Sequence, residues 1–433
     1  MVDIAALHQL YVKLGTVCTD TRHLKQGSMF FALKGPNFNG NKFAQQALDA
    51  GASYCIVDEK EAKVSERCFL VKDVLTTLQT LATYRRKQMG IPVIAIAGSN
   101  GKTTTKELLG AVLDKRYKTF STQGNLNNHI GLPVSLLSIQ TGVEMAVVEL
   151  GANHLVETAN LCEIALPSHG LVTNNGKDHL EGYGSLDNVR KGNGELFEYL
   201  RHNRGIAFVS TLQKDLMEDS APIKRYTYGD KEAYVAGRVE SASPYLKVWF
   251  KEKGGEADYT IETKLTGVYN FENVMAAVAV GLFFGVEETD IVKAIEHYKP
   301  SNNRSQWKHH DGNDFIVDCY NANPSSMQLA IENLAALDSK NKKMVVLGDM
   351  FELGKYSEAE HRAMIALVAS HKIDDVVLVG TEFKKANAAQ RVTDRVFDNV
   401  RDLKQWFDGE KIKGYTILLK GSRGMTLEKL LEK

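Results

Sequence analysis

Apolar residues along the chain gather into short unbroken runs, separated by segments with helical spacing. Residues 93–97 (VIAIA), 144–149 (EMAVVE), 170–173 (GLVT), 315–318 (FIVD), 344–347 (MVVL), 376–379 (VVLV) and 416–419 (TILL) read as strands buried on both faces. Nearer the start, 28–32 (SMFFA) and 53–57 (SYCIV) read as strands around a helix at 41–50. Val74, Leu75, Leu78, Leu81, Ala82 and Tyr84 mark one face of a further helix, and Gly90-Ile-Pro92 then turns the chain. Residues 225–264 differ: alternating Tyr, Val and Lys with Gly254-Gly255 predict an antiparallel hairpin insert. Helices resume near 270–284 and 289–297. Strands alternating with amphipathic helices imply doubly wound parallel sheets.

The polar motifs follow the strands. Gly98–Thr103, Glu149, Asn174-Asn175-Gly176, Tyr320–Pro324, Gly348–Gly354 and Lys420–Arg423 each stand at or just after a strand's carboxyl end. That is where parallel α/β sheets bind ligands. Two sheets carrying such loops imply a site shared between domains. In Gly98-Ser99-Asn100-Gly101-Lys102-Thr103-Thr104, the glycines let backbone N–H groups turn toward a phosphate at a helix N-terminus. Lys102 reaches the outer phosphates, and the Thr103 hydroxyl suits magnesium. The loop is a shortened form, because Ile96 stands where the generic phosphate loop has its first glycine. Glu149 can share the metal with Thr103. Magnesium prefers oxygen, so a lone His179 reads by chemistry alone as structural. Lys106 and Glu107 read as a solvated helix face. Arg304 and Arg423 suit phosphate charge or a surface ion pair.

The expected fold is α/β with three domains. They are a small N-terminal α/β domain (1–88), a central P-loop parallel-sheet ATPase domain with an antiparallel insert (89–298), and a C-terminal doubly wound, Rossmann-like domain (299–433). Composition narrows the partners. Lys plus Arg and Asp plus Glu are each 53 of 433 residues, which argues against nucleic acid or a membrane surface held by bulk charge. The five cysteines form no CxxC pair, which suits a reducing cytoplasm rather than a disulfide framework or zinc site. The N-terminal residues have no basic segment of a signal peptide. The longest apolar run, Val274 to Val286, is too short to span a bilayer.

Together the motifs resemble the Mur ligase family of ATP-dependent amide-bond-forming enzymes of bacterial wall synthesis. The resemblance covers nearly the whole chain. It is carried by TDTR (19–22) with FFALKG (30–35), AGSNGKTTTK (97–106), QGNLNNHIGLP (123–133), ELGANH (149–154), TNNG (173–176) and HLEGYGS (179–185). It continues through YNFEN (269–273), YNANPSSM (320–327), LGDMFELG (347–354) and LKGSRGM (419–425). YNANP with LGDMFELG marks the branch that adds D-alanyl-D-alanine, and the DNPR-type motif of the third-amino-acid enzymes is absent. The resemblance implies ATP and Mg2+ as cofactors, with UDP-N-acetylmuramoyl-tripeptide and D-alanyl-D-alanine as substrates. It implies a cytoplasmic protein, expected as a monomer, and an acyl-phosphate mechanism. Lys102, Glu149, His179 and Arg304 would be catalytic. Thr103, Glu149 and His179 would hold metal. Gly98 to Thr104, Asn270, Asn273, Arg304 and Asp318 would bind ATP. Thr19, Thr21, Arg22, Lys34 and Gly35 would receive the UDP end, and Asn125, Asn127 and Asn128 would line the central cleft. Asp349, Lys420, Ser422 and Arg423 would face the dipeptide.

Three departures stand out. Asn193 occupies the place of a lysine that many members carry as a carbamate, and Lys191, two residues earlier, would project elsewhere from a helix. Tyr269 replaces a usual histidine, and Asn303-Arg304 replaces Gly-Arg. The alternatives are a folylpolyglutamate synthase or another wall ligase, a P-loop kinase or switch, and a catalytically dead binding protein. TDTR with FFALKG argues against the folate enzyme. The absence of NKxD argues against a GTPase switch, and the retained Lys102, Thr103, Glu149 and His179 argue against a dead protein.

Overall fold

The computed structural model describes residues 2–432. Its N-terminal strands are β1 (Val17–Cys18), β2 (Met29–Phe31), the small antiparallel pair β3 (Lys34–Gly35) and β4 (Phe38–Asn39), then β5 (Tyr54–Val57) and β6 (Cys68–Leu70). β1, β2, β5 and β6 form a four-stranded parallel sheet in that order.

The central sheet holds β7 (Val93–Ala97), β8 (Thr119–Ser121), β9 (Met145–Glu149), β10 (His169–Val172), β11 (Ile206–Ser210), β12 (Lys224–Gly229), β13 (Val235–Ser241), β14 (Lys247–Glu252) and β15 (Tyr259–Glu262). Their spatial order is β15-β14-β13-β12-β11-β10-β7-β9-β8. The region expected as a hairpin insert is instead continuous with this sheet. β12 pairs in parallel with β11, and only β13 to β15 run antiparallel. Alternation along β14 buries Val248 and Phe250 and so extends the core to the sheet's edge.

The last sheet contains β16 (Gln306–His310), β17 (Asn313–Asp318), β18 (Lys342–Gly348), β19 (Asp375–Val379), β20 (Val396–Phe397) and β21 (Tyr415–Lys420), ordered β16-β17-β21-β18-β19-β20. All neighbours are parallel except β16 with β17. β16 and β20 have no apolar run to announce them: β16 (QWKHH) is a partly exposed edge, and β20 is two residues long.

One hydrophobic core runs from the first sheet through the helix Val74–Met89 to one face of the central sheet. Gly90, in the left-handed region at φ 65°, ends that helix and turns the chain toward β7. On the sheet's other face, the helices Lys102–Leu113 and Phe271–Phe283 pack together over Ile94 and Ile96. The carboxyl ends of β7, β9, β17 and β21 border one cleft of about 710 Å³ between the central and third sheets.

Candidate active site

The phosphate loop leaves β7 at Ala97 and enters the helix at Lys102. Two of its glycines are obligatory. A Cβ on Gly98 (φ 115°) would sit 2.3 Å from Thr173 Oγ1, and one on Gly101 (φ 86°) 2.4 Å from Asn273 Oδ1. Asn174, quoted in its motif but not singled out from the sequence, braces the loop. Its carbonyl accepts from Ser99 N at 2.9 Å, its Oδ1 accepts from Asn100 N at 3.1 Å, and its Nδ2 donates to Asn100 O at 3.0 Å. Ser99 Oγ donates to the buried Asp178 at 2.5 Å. Lys102 curls over the loop and donates to the Gly98 and Ser99 carbonyls.

Glu149, at the end of β9, is 4% exposed and held on both oxygens. Thr103 Oγ1 donates to Oε2 at 3.0 Å, and Asn127 Nδ2 donates to Oε1 at 2.9 Å. Lys106 corrects the expectation of a solvated helix face. It is 3% exposed, with Nζ 4.0 Å from Glu149 Oε2, because its helix turns that side onto β9. Glu107 is committed as well, accepting from Tyr298 Oη at 2.5 Å. Thr103 and Glu149 present a hydroxyl and a carboxylate oxygen to the cleft. This hard donor pair fits magnesium, which prefers oxygen ligands. Among the described residues no three His, Cys, Asp or Glu side chains converge for a metal. His179 turns Nδ1 to the Glu352 carboxylate of the third domain. That contact holds the Glu352 carboxyl below its usual range. Both residues are left-handed, at φ 46° and 62°.

Asn270 and Asn273 line the cleft with their amides joined, Asn273 Nδ2 donating to Asn270 Oδ1 at 2.9 Å. Thr105 Oγ1 donates to Asn273 Oδ1, and Asn270 Nδ2 to Thr266 O. Tyr269 Oη lies 2.9 Å from Ser305 Oγ, and burial pushes its phenol pKa up. Arg304 stacks 3.8 Å over the Tyr320 ring, and its buried Nε has no partner among the described residues, which fits an anionic ligand. Asp318 accepts from Lys420 Nζ at 2.8 Å. Asn323 caps the helix Pro324–Ala336 and reaches across the cleft, donating to Asn100 Oδ1 at 2.9 Å. Asn125, Asn127 and Asn128 lie on the wall, and Asn128 Oδ1 also accepts from Ile130 N and Gly131 N.

Other expected residues lie off this cleft. Thr19, Thr21, Arg22, Lys34 and Gly35 do not line it. Arg22 grips Asp20, and Lys34 Nζ pairs with Asp58 at 2.9 Å. Asp349 is corrected outright: it does not face the cleft. Its buried carboxylate accepts from Glu382 N at 3.0 Å and Phe383 N at 2.9 Å, capping the helix Thr381–Ala389 beside Gly380. Ser422 is buried and braces two loops, accepting from Phe351 N and donating to Ala322 O. Arg423 is exposed, 3.5 Å from Glu428 and 5.4 Å from the Tyr320 ring. Of the four residues expected to face the dipeptide, only Lys420 lines the cleft. The acid of LGDMFELG that does so is Glu352; both acids stand in the motif, and spacing alone could not choose between them. Asn193 is buried, donates to Asn175 Oδ1 at 2.9 Å and is not on the wall, while Lys191 is exposed.

Three family profiles cover most of the chain: "Mur ligase family, catalytic domain" at residues 13–98, "Mur ligase middle domain" at 96–281, and "Mur ligase, glutamate ligase domain" at 303–423. The chain belongs to the Mur ligase family. Within that family it is 35% identical over 424 residues to the UDP-N-acetylmuramoyl-tripeptide–D-alanyl-D-alanine ligase of Bacillus subtilis, covering 96% of this chain and 92% of that one. The Escherichia coli enzyme of the same name is 33% identical, with 97% and 93% covered. A crystal structure of MurF from Acinetobacter baumannii superposes with a TM-score of 0.86 at 30% identity, covering 96% and 92%. The Mur ligase MurF of Thermotoga maritima, solved in complex with ADP, superposes at 0.85 with 26% identity, covering 100% and 98%.

Proposed function

We propose that this Mur ligase joins D-alanyl-D-alanine to UDP-N-acetylmuramoyl-tripeptide with cleavage of ATP to ADP and phosphate. The observation that carries the reading is the Thr103–Glu149 pair beside the phosphate loop, facing a cleft closed by the YNANP and LGDMFELG loops. When bound with magnesium, ATP supplies the γ-phosphoryl group that converts the tripeptide's terminal carboxylate into an acyl phosphate, from which the dipeptide amine displaces inorganic phosphate.

The chain's own residues supply position and charge. Loop N–H groups from Gly98 to Thr104 and the Lys102 ammonium hold phosphate oxygens. Thr103 and Glu149 would hold the magnesium, and His179, whose Nε2 has no hydrogen bond to the described residues, lines the same cleft. The Arg304 guanidinium, stacked on Tyr320, neutralises charge developing on the transferred phosphoryl group. Asn270 and Asn273 bound the adenine end, and Asp318 with Lys420 the ribose side. Residues 1–88 receive the UDP end through Thr19, Thr21, Arg22, Lys34 and Gly35, and residues 299–433 receive the dipeptide. Wall-precursor synthesis in the cytoplasm is the setting. No helix among the described residues is long and apolar enough to cross a membrane.

Phosphate release is the test. It should require ATP, magnesium, UDP-N-acetylmuramoyl-tripeptide and D-alanyl-D-alanine together, with a product heavier by the dipeptide less one water. Release that ignores the dipeptide, or that needs glutamate and folate instead, would refute the reading.

A further inference from the structure

Five carboxylates line the cleft: Glu149, Glu157, Asp178, Asp318 and Glu352. Four accept hydrogen bonds from the protein. Glu149 is held by Thr103 and Asn127, Glu157 by the N–H groups of Asn153 and His154, Asp178 by Ser99, and Asp318 by Lys420 and Ser305 N. Glu352 differs from all of them. Its polar neighbour is His179 Nδ1, which lies against Oε2, while no hydrogen bond among the described residues reaches Oε1, and its side chain is 54% exposed. Its backbone is nevertheless fixed. It sits in the left-handed region on the loop after β18, and its carbonyl accepts from Glu181 N at 3.0 Å across the seam between the central and third domains. The carboxylate with most capacity to spare is therefore held at the carboxyl edge of the third sheet, against the ATP-binding domain.

The chemistry of the reactants completes the argument. ATP, the acyl phosphate and the tripeptide carboxylate are anions, and among the described residues Lys102, Arg304 and Lys420 are the cleft's lysine and arginine side chains. The dipeptide arrives with a cationic α-amino group, since such amines carry their proton near neutral pH. An ammonium entering a cleft that gathers phosphate needs an acceptor-only partner with open lone pairs. We infer that Glu352, and not Asp349, binds the α-ammonium group of the dipeptide acceptor and orients that nitrogen at the seam between the two domains. The inference rests on the reading of the chain as the dipeptide-adding ligase.

The test is steady-state phosphate release by wild type and Glu352→Gln, with each substrate varied in turn and thermal melts alongside. For Glu352→Gln, the KM for D-alanyl-D-alanine should rise at least tenfold, with the KM for ATP and the UDP-tripeptide within about twofold. D-lactyl-D-alanine, which carries a hydroxyl in place of the ammonium, should inhibit wild type and variant equally. Glu352→Asp, which keeps the charge, should recover part of the loss. An unchanged dipeptide KM, equal weakening of dipeptide and hydroxyl analogue, or a change confined to magnesium dependence would each overturn the inference. The last outcome would make Glu352 a support for His179. Wild type that releases no phosphate with the dipeptide would overturn the ligase reading and this inference together. An active wild type with an unaffected variant would overturn this inference alone.

Discussion

The two seams that join the outer domains to the central sheet are built differently. The first is core. The helix Val74–Met89 buries Leu78, Leu81 and Ala82 completely, in one cluster with Leu132, Leu136 and Leu161 of the central domain. Its polar contacts are equally inward: Arg86 donates to Ala165 O at 3.0 Å and Leu166 O at 3.1 Å, capping a helix end. The second seam has a small apolar plug, with Leu180, Tyr183 and Val189 joining the third domain's core. Around the plug lie side-chain and backbone hydrogen bonds that water can replace. Asn323 meets Asn100, Lys177 N donates to Ser325 Oγ, Lys177 Nζ pairs with Glu360 at 2.7 Å, and Tyr356 Oη donates to Gly184 O. Separating the first seam would expose a core, whereas separating the second mostly trades hydrogen bonds for water. The second seam is therefore the one that separates at the lower cost, while residues 1–88 stay packed on the central sheet.

The comparison can be broken at several points. Leu78→Ala should cost about 2–5 kcal/mol and lower a single melting transition shared by the first and central domains; two separate calorimetric transitions would show that the seam is not a common core. Arg86→Met should cost about 1–3 kcal/mol, since it leaves one buried and one part-buried carbonyl without that donor, read as a shift in the urea midpoint. His169 tests the central body apart from either seam. Burial among Phe208, Phe283 and Phe284 holds its imidazole down to about 4. The folded protein thus resists a proton that the unfolded chain accepts near 6.5. The stability tied to His169 is full above that value and falls as pH drops toward 4, by at most about 1.4 kcal/mol per unit. His169→Phe should flatten that slope in urea titrations between pH 6.5 and 4. Lys177→Met, which breaks a half-exposed pair, should change stability by under about 1 kcal/mol. It should still lower turnover and reduce the compaction that an ATP analogue plus UDP-tripeptide produce in small-angle scattering. A large stability loss from Lys177→Met, or no substrate-induced compaction in wild type, would remove the distinction between the seams.

Most of the strand framework was legible because parallel strands buried on both faces leave apolar runs, as in β7, β9, β17, β18, β19 and β21. Other strands were not read this way: β11 (IAFVS) is buried at four of its five positions yet went unread, and two strands lack the mark. β16 is a polar edge, and β12 mixes exposed and buried positions as it joins the sheet. The phosphate loop was legible for a local reason: its chemistry lies within a few consecutive residues, and two glycines are demanded by close backbone approach. The acceptor side was not. LGDMFELG offers two acids three residues apart, and one caps the helix Thr381–Ala389, far along the chain. Lys106 misled in the opposite direction, since a lysine after a phosphate loop reads as solvated until the neighbouring strand is known to lie against it.

Sequence by itself determined what is local or periodic here: the strand–helix alternation, the phosphate grip of Gly98 to Thr103, the place of polar loops at strand ends, and membership of a family through motifs spread along the chain. Tertiary structure alone decided which of those groups meet. It paired Thr103 with Glu149, set Asn323 against Asn100, turned Asp349 into a helix cap, and left Glu352 open beside His179. The physical reason is range. Backbone preference and hydrophobic period act over a few residues, whereas a carboxylate's role follows from which donors the fold brings within about 3 Å of it, and those donors come from far along the chain.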